Sequence, residues 1–173
     1  NLQYWFSAPW KSRLKMGISK KKISFSDPDT PQTMYGLFFH QLVSEIKVPV
    51  DSETFVKTHA VSANLDMAVL KRLIDEIKMF VDTAIHYDWF SKEAETVNEA
   101  ELLLTDGSIL RPDRLILKNK SAIVIDYKTG TEEPYHQKQV SQYASVMMAM
   151  GYTDTKMFLV YPALKKVVEV LAA

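Results

Sequence analysis

The sequence contains no cysteine. That excludes disulfides, thiolate zinc sites and cysteine-ligated iron-sulfur clusters, so any metal must be held by oxygen and imidazole donors. No apolar run approaches the ~20 residues that span a bilayer, and the expectation is a soluble, cytoplasmic bacterial protein with no membrane partner. Net charge is missing too. With 21 basic side chains against 21 acidic ones, the chain has no whole-domain attraction for a polyanion, which counts against a free-standing nucleic-acid binder. A chain that starts at Asn1, without an initiator Met or a signal pattern, reads as an excised piece of a longer protein whose other parts deliver the polyanion.

What is present is ordinary globular material. A length of 173 residues suits one domain, and 47% apolar with 24% charged residues argues against disorder. Residues 1–33 read as a connecting arm, because Lys11, Arg13, Lys15, Lys20, Lys21 and Lys22 come without an acid and a turn-rich stretch follows. Residues 34–173 read as the folded domain, with a helical part over 34–90 and a core over 97–173.

Two helices are expected first. Leu37, Phe38, Leu42, Val43 and Ile46 recur at helical spacing over 34–46, and Leu70, Leu73, Ile74, Ile77, Phe80 and Val81 do so over 65–85, with Ser62 or Asn64 as the N-cap. Strands follow over 99–104, 108–117 and 121–128, the first two joined by a two-residue type I′ turn at Asp106-Gly107. A helix over 135–150 ends at Gly151, and strands over 156–161 and 166–171 complete the chain. The fold class is α/β, with a mixed central sheet: an antiparallel three-strand meander, then helix and strand, flanked by helices.

The chemistry concentrates on the second and third strands. Arg111-Pro112-Asp113-Arg114 lies on one, and Ile125-Asp126-Tyr127-Lys128 ends the other. Side chains alternate along a strand, so Asp126 and Lys128 share a face and Tyr127 takes the opposite one. Ile123, Val124 and Ile125 mark a strand buried on both faces, so the Asp126 carboxylate emerges from a low-dielectric wall, where a charge must be paired or bind a metal. Pro112 cannot donate to a sheet ladder and predicts a bend or bulge that re-aims Asp113. Taken singly, these acids also read as structural salt bridges, Asp113 with Arg111 or Arg114 and Asp126 with Lys128.

The set is more specific than its parts. Pro-Asp, twelve residues, then Asp-x-Lys resembles the PD-(D/E)XK nuclease superfamily. The likeness is closest to the RecB/AddA-type nuclease domains of bacterial UvrD-like helicase-nucleases. Gly36-Leu37-Phe38-Phe39-His40 matches that family's G-x-x-x-H helix motif, Glu99 or Glu101 its acid near the hairpin, and Gln139 with Tyr143 its Q-x-x-x-Y motif. The likeness runs over about residues 34–162.

The resemblance implies a restriction-endonuclease-like fold and a Mg²⁺- or Mn²⁺-dependent deoxyribonuclease of RecB exonuclease type, without an iron-sulfur cluster. It implies catalytic Asp113, Asp126 and Lys128; metal ligands His40, Asp113, Asp126 and the Tyr127 carbonyl; and Gln139 and Tyr143 as orienting residues. Glu99 and Arg114 are weaker candidates. The implied partners are a DNA strand, helicase domains of the same chain and a second subunit, in recombination and repair of double-strand ends. A non-catalytic nucleic-acid-binding or scaffold domain on the same fold is the alternative. His59, His86 and His136 carry no assigned role.

Overall fold

Helical periodicity builds the first layer. The computed structural model describes residues 31–171 apart from positions 62, 64, 105 and 106, so the basic arm over 11–22 lies outside the described residues. Helix α1 (Pro31–Glu45) buries Tyr35, Phe38, Phe39, Leu42 and Val43. Leu37, expected in that stripe, is 57% exposed, and Tyr35 and Phe39 take core positions beside it. A short helix that the apolar pattern did not announce, α2 (Ser52–Ala60), is capped by Asp51, whose side chain accepts the Thr54 N–H at 2.9 Å. Its buried residues are only Ser52, Val56 and Ala60, too thin a stripe to read.

Helix α3 (Met67–His86) is the long amphipathic one, burying Leu73, Glu76, Ile77, Phe80, Val81 and Ala84. Its N-cap is Asp66, which accepts the Val69 N–H at 2.8 Å. The expected caps, Ser62 and Asn64, lie outside the described residues. Among the described residues no helix is long and apolar enough to cross a membrane.

The main sheet has five strands: β1 (Glu95–Asn98), β4 (Arg114–Lys118), β5 (Ser121–Tyr127), β6 (Asp154–Tyr161) and β7 (Lys166–Val170), side by side in that order. β1, β4 and β5 are antiparallel to one another, β6 runs parallel to β5, and β7 returns antiparallel to β6. Helix α4 (Pro134–Ala149) makes the crossover that a parallel β5–β6 pair requires. It ends where expected. Gly151, at φ 99°, donates to Met148 O, and Tyr152 N–H donates to Met147 O, which is a Schellman closure.

Two expected strands are corrected. The partner of β4 is β1, not 99–104; and 108–117 is split. Residues Leu102–Leu103 (β2) pair with Ile109–Leu110 (β3) in a separate two-stranded hairpin inserted between β1 and β4. The causes are local. Glu99 stands at φ 50°, a conformation that ends a strand, and Pro112 interrupts the other side. The hairpin turn is also longer than a two-residue one, since Leu104 N–H donates to Ser108 O at 2.8 Å across three residues. Gly107 is the left-handed position such a three-residue loop needs; Asp106 lies outside the described residues.

The sheet separates two cores. Ile125, Tyr127, Phe158 and Val160 face α1, α2 and α3, whereas Leu115, Ala122 and Val124 face Tyr143, Val146 and Met147 of α4. Met157, Leu159 and Tyr161 join Val140 and Ala144 on that second side. The period of two in β5 therefore puts the Asp126 side chain on the α4 side and Tyr127 among the first three helices.

Candidate active site

The strand break at Arg111-Pro112-Asp113 places Asp113 immediately before β4, opposite the end of β5. Its Oδ2 accepts the Tyr127 backbone N–H at 2.7 Å. Its Oδ1 meets His40 Nδ1 at 3.0 Å, which brings in a residue from α1 73 positions away. Glu99 N–H donates to Asp113 O at 2.8 Å and fixes the backbone from the other side. The bend at Pro112 thus aims Asp113 across the end of the sheet.

Asp126 is 2% exposed and sits on the α4 side, where Lys128 Nζ lies 2.7 Å from its Oδ2. The contact is an ion pair without hydrogen-bond geometry, so Oδ2 is a buried oxygen with no hydrogen-bond donor. Lys128 donates instead to Gln139 Oε1 at 2.9 Å; Gln139 Nε2 donates to Tyr143 Oη at 2.7 Å; and Tyr143 donates to Arg111 O at 3.3 Å. This relay holds the ammonium and ties α4 to the segment that carries Asp113.

Electrostatics follow from burial and crowding. Burial, and then the like charge of Asp113, raise the Asp126 pKa above the ordinary carboxylate value against the pull of Lys128 and His40. Burial lowers His40, but its bond to Asp113 and the charges of Asp113 and Asp126 more than offset this, and His40 stands above its ordinary value. Burial, then the charge on Asp126, push the Tyr143 hydroxyl up to about 12, so it remains a neutral donor. Two carboxylates, one imidazole and one ammonium therefore share one wall.

An open cleft covers this wall, lined by His40, Asp113, Asp126, Lys128 and Gln139 together with the backbone turn that follows β5. Helix α1 approaches that turn closely. A Cβ on Gly36 would come within 3.1 Å of Thr129 Oγ1, which gives the glycine of Gly36-x-x-x-His40 a steric reason.

Two of the sequence candidates are not brought here. Arg114 is wholly buried on the other side of the sheet, where its Nη2 donates to Val43 O at 2.7 Å and Ile46 O at 2.8 Å, and its Nε to Asn98 Oδ1 at 2.9 Å. It anchors the end of α1. Glu99 has an exposed side chain outside the cleft lining, and Glu101 pairs with Arg111 at 2.8 Å. The anticipated pairing of Asp113 with Arg111 or Arg114 is thus absent among the described residues, whereas that of Asp126 with Lys128 is present. Sequence reasoning passed over Tyr135 and His136, which also line the cleft. The one local signal was their place in the first turn of α4, just after the N-cap Glu133.

A search of curated proteins gives no match. A family model described as the PD-(D/E)XK nuclease superfamily matches residues 8–171. The five-stranded mixed sheet with helices on both sides has the restriction-endonuclease-like form of that group. With a family match over almost the whole length and the family's eponymous Asp113, Asp126 and Lys128 gathered at one cleft, the chain belongs to the PD-(D/E)XK nuclease superfamily.

Proposed function

We propose that this domain is a divalent-metal-dependent DNA nuclease, with Asp113, Asp126 and Lys128 as its catalytic residues. The observation that carries the reading is the Lys128 ammonium, held between the Asp126 carboxylate and Gln139 at the wall of an open cleft. A purely structural ion pair has no need of a further relay through Gln139 and Tyr143 to the Asp113 segment.

The donor set fits a hard cation: two carboxylates, one imidazole, and a buried Asp126 oxygen that lacks a donor. Among the described residues no three His, Cys, Asp or Glu side chains already stand in metal-holding arrangement. The reason is visible. His40 is spent on Asp113, Asp113 on Tyr127 N–H, and Lys128 occupies the side of Asp126. His40, Asp113, Asp126 and the Tyr127 carbonyl would hold Mg²⁺ or Mn²⁺, the imidazole favouring Mn²⁺ somewhat. Such an ion, when bound, supplies a more acidic water and neutralises phosphate charge. Lys128 orients the attacking water and stabilises charge developing on the phosphate, which a compact ammonium with three donors does well. Gln139 keeps Lys128 in place, and Tyr143 keeps Gln139 in place.

The ordered set from Gly36-x-x-x-His40 to Gln139-x-x-x-Tyr143 supports a finer reading. On it, the domain is the RecB/AddA-type exonuclease module of a helicase-nuclease, receiving a single strand from helicase domains, with a second subunit, during processing of double-strand ends for recombination and repair. The balanced charge agrees, because a tethered module has its substrate delivered.

The test is cleavage of end-labelled single-stranded DNA with Mg²⁺, Mn²⁺, Ca²⁺ or EDTA, beside Lys128→Ala. Cleavage that requires Mg²⁺ or Mn²⁺ and vanishes in the variant is expected. Cleavage that persists in Lys128→Ala overturns the assignment of the site. Absence of cleavage with every metal, both alone and with its helicase partner restored, favours the non-catalytic binding domain.

A further inference from the structure

His136 lies outside every motif used so far, yet its ring is part of the cleft wall and only 3% exposed. Its Nδ1 accepts the Glu133 backbone N–H at 3.2 Å, the reciprocal half of the box that caps α4. Tyr161 Oη, from β6, lies 3.0 Å from the same nitrogen. An N–H on Nδ1 would point at the Glu133 N–H, so Nδ1 must keep its lone pair, and the Tyr161 hydroxyl donates to it as well. The ring proton therefore sits on Nε2.

That nitrogen is on the far edge of the ring and has no hydrogen-bond partner among the described residues. It is not fully sealed from the surface either, since it is not among the buried polar atoms that lack a partner. A neutral donor held rigidly, nine-tenths buried and left unpaired in a cleft asks for an acceptor from outside the protein. Burial and the nearby Lys128 charge both disfavour a second proton on the ring, against a weaker pull from Glu133.

We propose that His136 Nε2–H is a substrate-positioning donor that contacts a non-bridging phosphate oxygen of the bound nucleic-acid strand, beside Lys128. This rests on the nuclease reading for the identity of the ligand. The division of labour is chemical: Lys128 brings a full charge, whereas His136 brings a directional neutral bond on a ring braced by Glu133 and Tyr161. Tautomer control by a partner on the other ring nitrogen is a general device for fixing which edge donates.

Two substitutions separate this role from capping. In His136→Asn the amide oxygen falls where Nδ1 was, preserving the cap acceptor and removing the cleft donor. In His136→Gln the amide nitrogen falls where Nε2 was, preserving the donor and removing the cap. Affinity for a short oligothymidylate, measured by fluorescence anisotropy in Ca²⁺ and without turnover, should fall about tenfold in His136→Asn. In His136→Gln it should stay within about threefold of wild type, although Gln has the lower melting temperature. Nitrogen-15 NMR of labelled histidine should show the Nε2–H tautomer at His136, with its Nε2 resonance moving on oligothymidylate addition. Wild-type affinity in His136→Asn, or an Nδ1–H or doubly protonated ring, overturns the proposal. If either occurs while Mg²⁺-dependent cleavage by the wild type persists, this inference fails and the nuclease reading stands. No oligothymidylate binding by the wild type overturns the inference outright, and the cleavage assay then judges the nuclease reading separately.

Discussion

Asp113 and Arg114 are adjacent in the chain and belong to two opposite kinds of polar cluster. Arg114 is entirely buried, with acceptors at Val43, Ile46 and Asn98 and the Phe80 ring 4.9 Å below its guanidinium. Its Nη1 has no partner, but the cluster is shut away from solvent and fastens α1 to β4. Asp113 opens on the cleft, in company with a second carboxylate whose buried Oδ2 lacks a donor. The first arrangement serves stability, because each bond replaces one lost to water. The second costs stability, because like charges are crowded in a poorly solvated wall. Burial of a charge therefore says little about its purpose, and so does one unpartnered atom, since Arg114 Nη1 and Asp126 Oδ2 both lack a partner; whether the group opens on the cleft says more.

Substitutions can break that contrast, and the largest effects belong to the open cluster. Asp126→Ala and Lys128→Ala should lower Mg²⁺-dependent cleavage by at least about a hundredfold, while the thermal unfolding midpoint changes little or rises for Asp126→Ala in EDTA. Loss of fold in both variants would count against the open cluster being costly. Arg114→Met should do the reverse. Leaving two carbonyls and Asn98 without their donor should cost about 3 kcal/mol in urea unfolding, and His40, carried by the helix that Arg114 fastens, should lose its fixed place before the melt. An unfolding free energy equal to wild type would show that Arg114 is not the anchor.

Smaller changes sharpen the contrast. Tyr143→Phe removes the last two bonds of the relay, from Gln139 and to Arg111 O, but leaves Gln139 on Lys128, so kcat should fall a few-fold with KM nearly unchanged, and stability by about 1 kcal/mol. A change in KM alone would instead place Tyr143 on the substrate. Gly36→Ala should be nearly neutral in stability, within about 1 kcal/mol, because the helix gains propensity while the added Cβ meets Thr129 Oγ1 at 3.1 Å. Combining it with Thr129→Ala should be more stable than Gly36→Ala alone, as read by the unfolding midpoint.

How much of this was legible beforehand depends on the range of the signal. Alternation along β5 correctly put Asp126 and Lys128 on one face, and Pro112 correctly announced the break that turns Asp113. The motif order brought His40 and Gln139 to the same cleft, with Tyr143 bonded to Gln139 behind it. The failures have one cause, which is that side-chain chemistry alone does not tell which side of a strand break a residue takes. Arg114 resumes the sheet after the break and turns to α1, and β1 lies wholly before the expected strand over 99–104, because the positive φ at Glu99 ends it. Capping residues and α2 escaped for lack of apolar periodicity. The contact of His136 with Tyr161, 25 residues away, lies outside any local pattern.

The inserted hairpin of β2 and β3 has a practical consequence. Glu99 N–H and Asp113 O close its base, the Arg111–Glu101 pair braces its stem, and Gly107 and Ser108 near its turn are exposed. A peptide tag or fluorophore grafted at that turn is insulated from Asp113 by the base, yet it travels with the stem that receives the Tyr143 hydrogen bond. The molecule thus offers an attachment point for an optical reporter on a hairpin whose base leads into Arg111 at the cleft, outside the residues that do the chemistry.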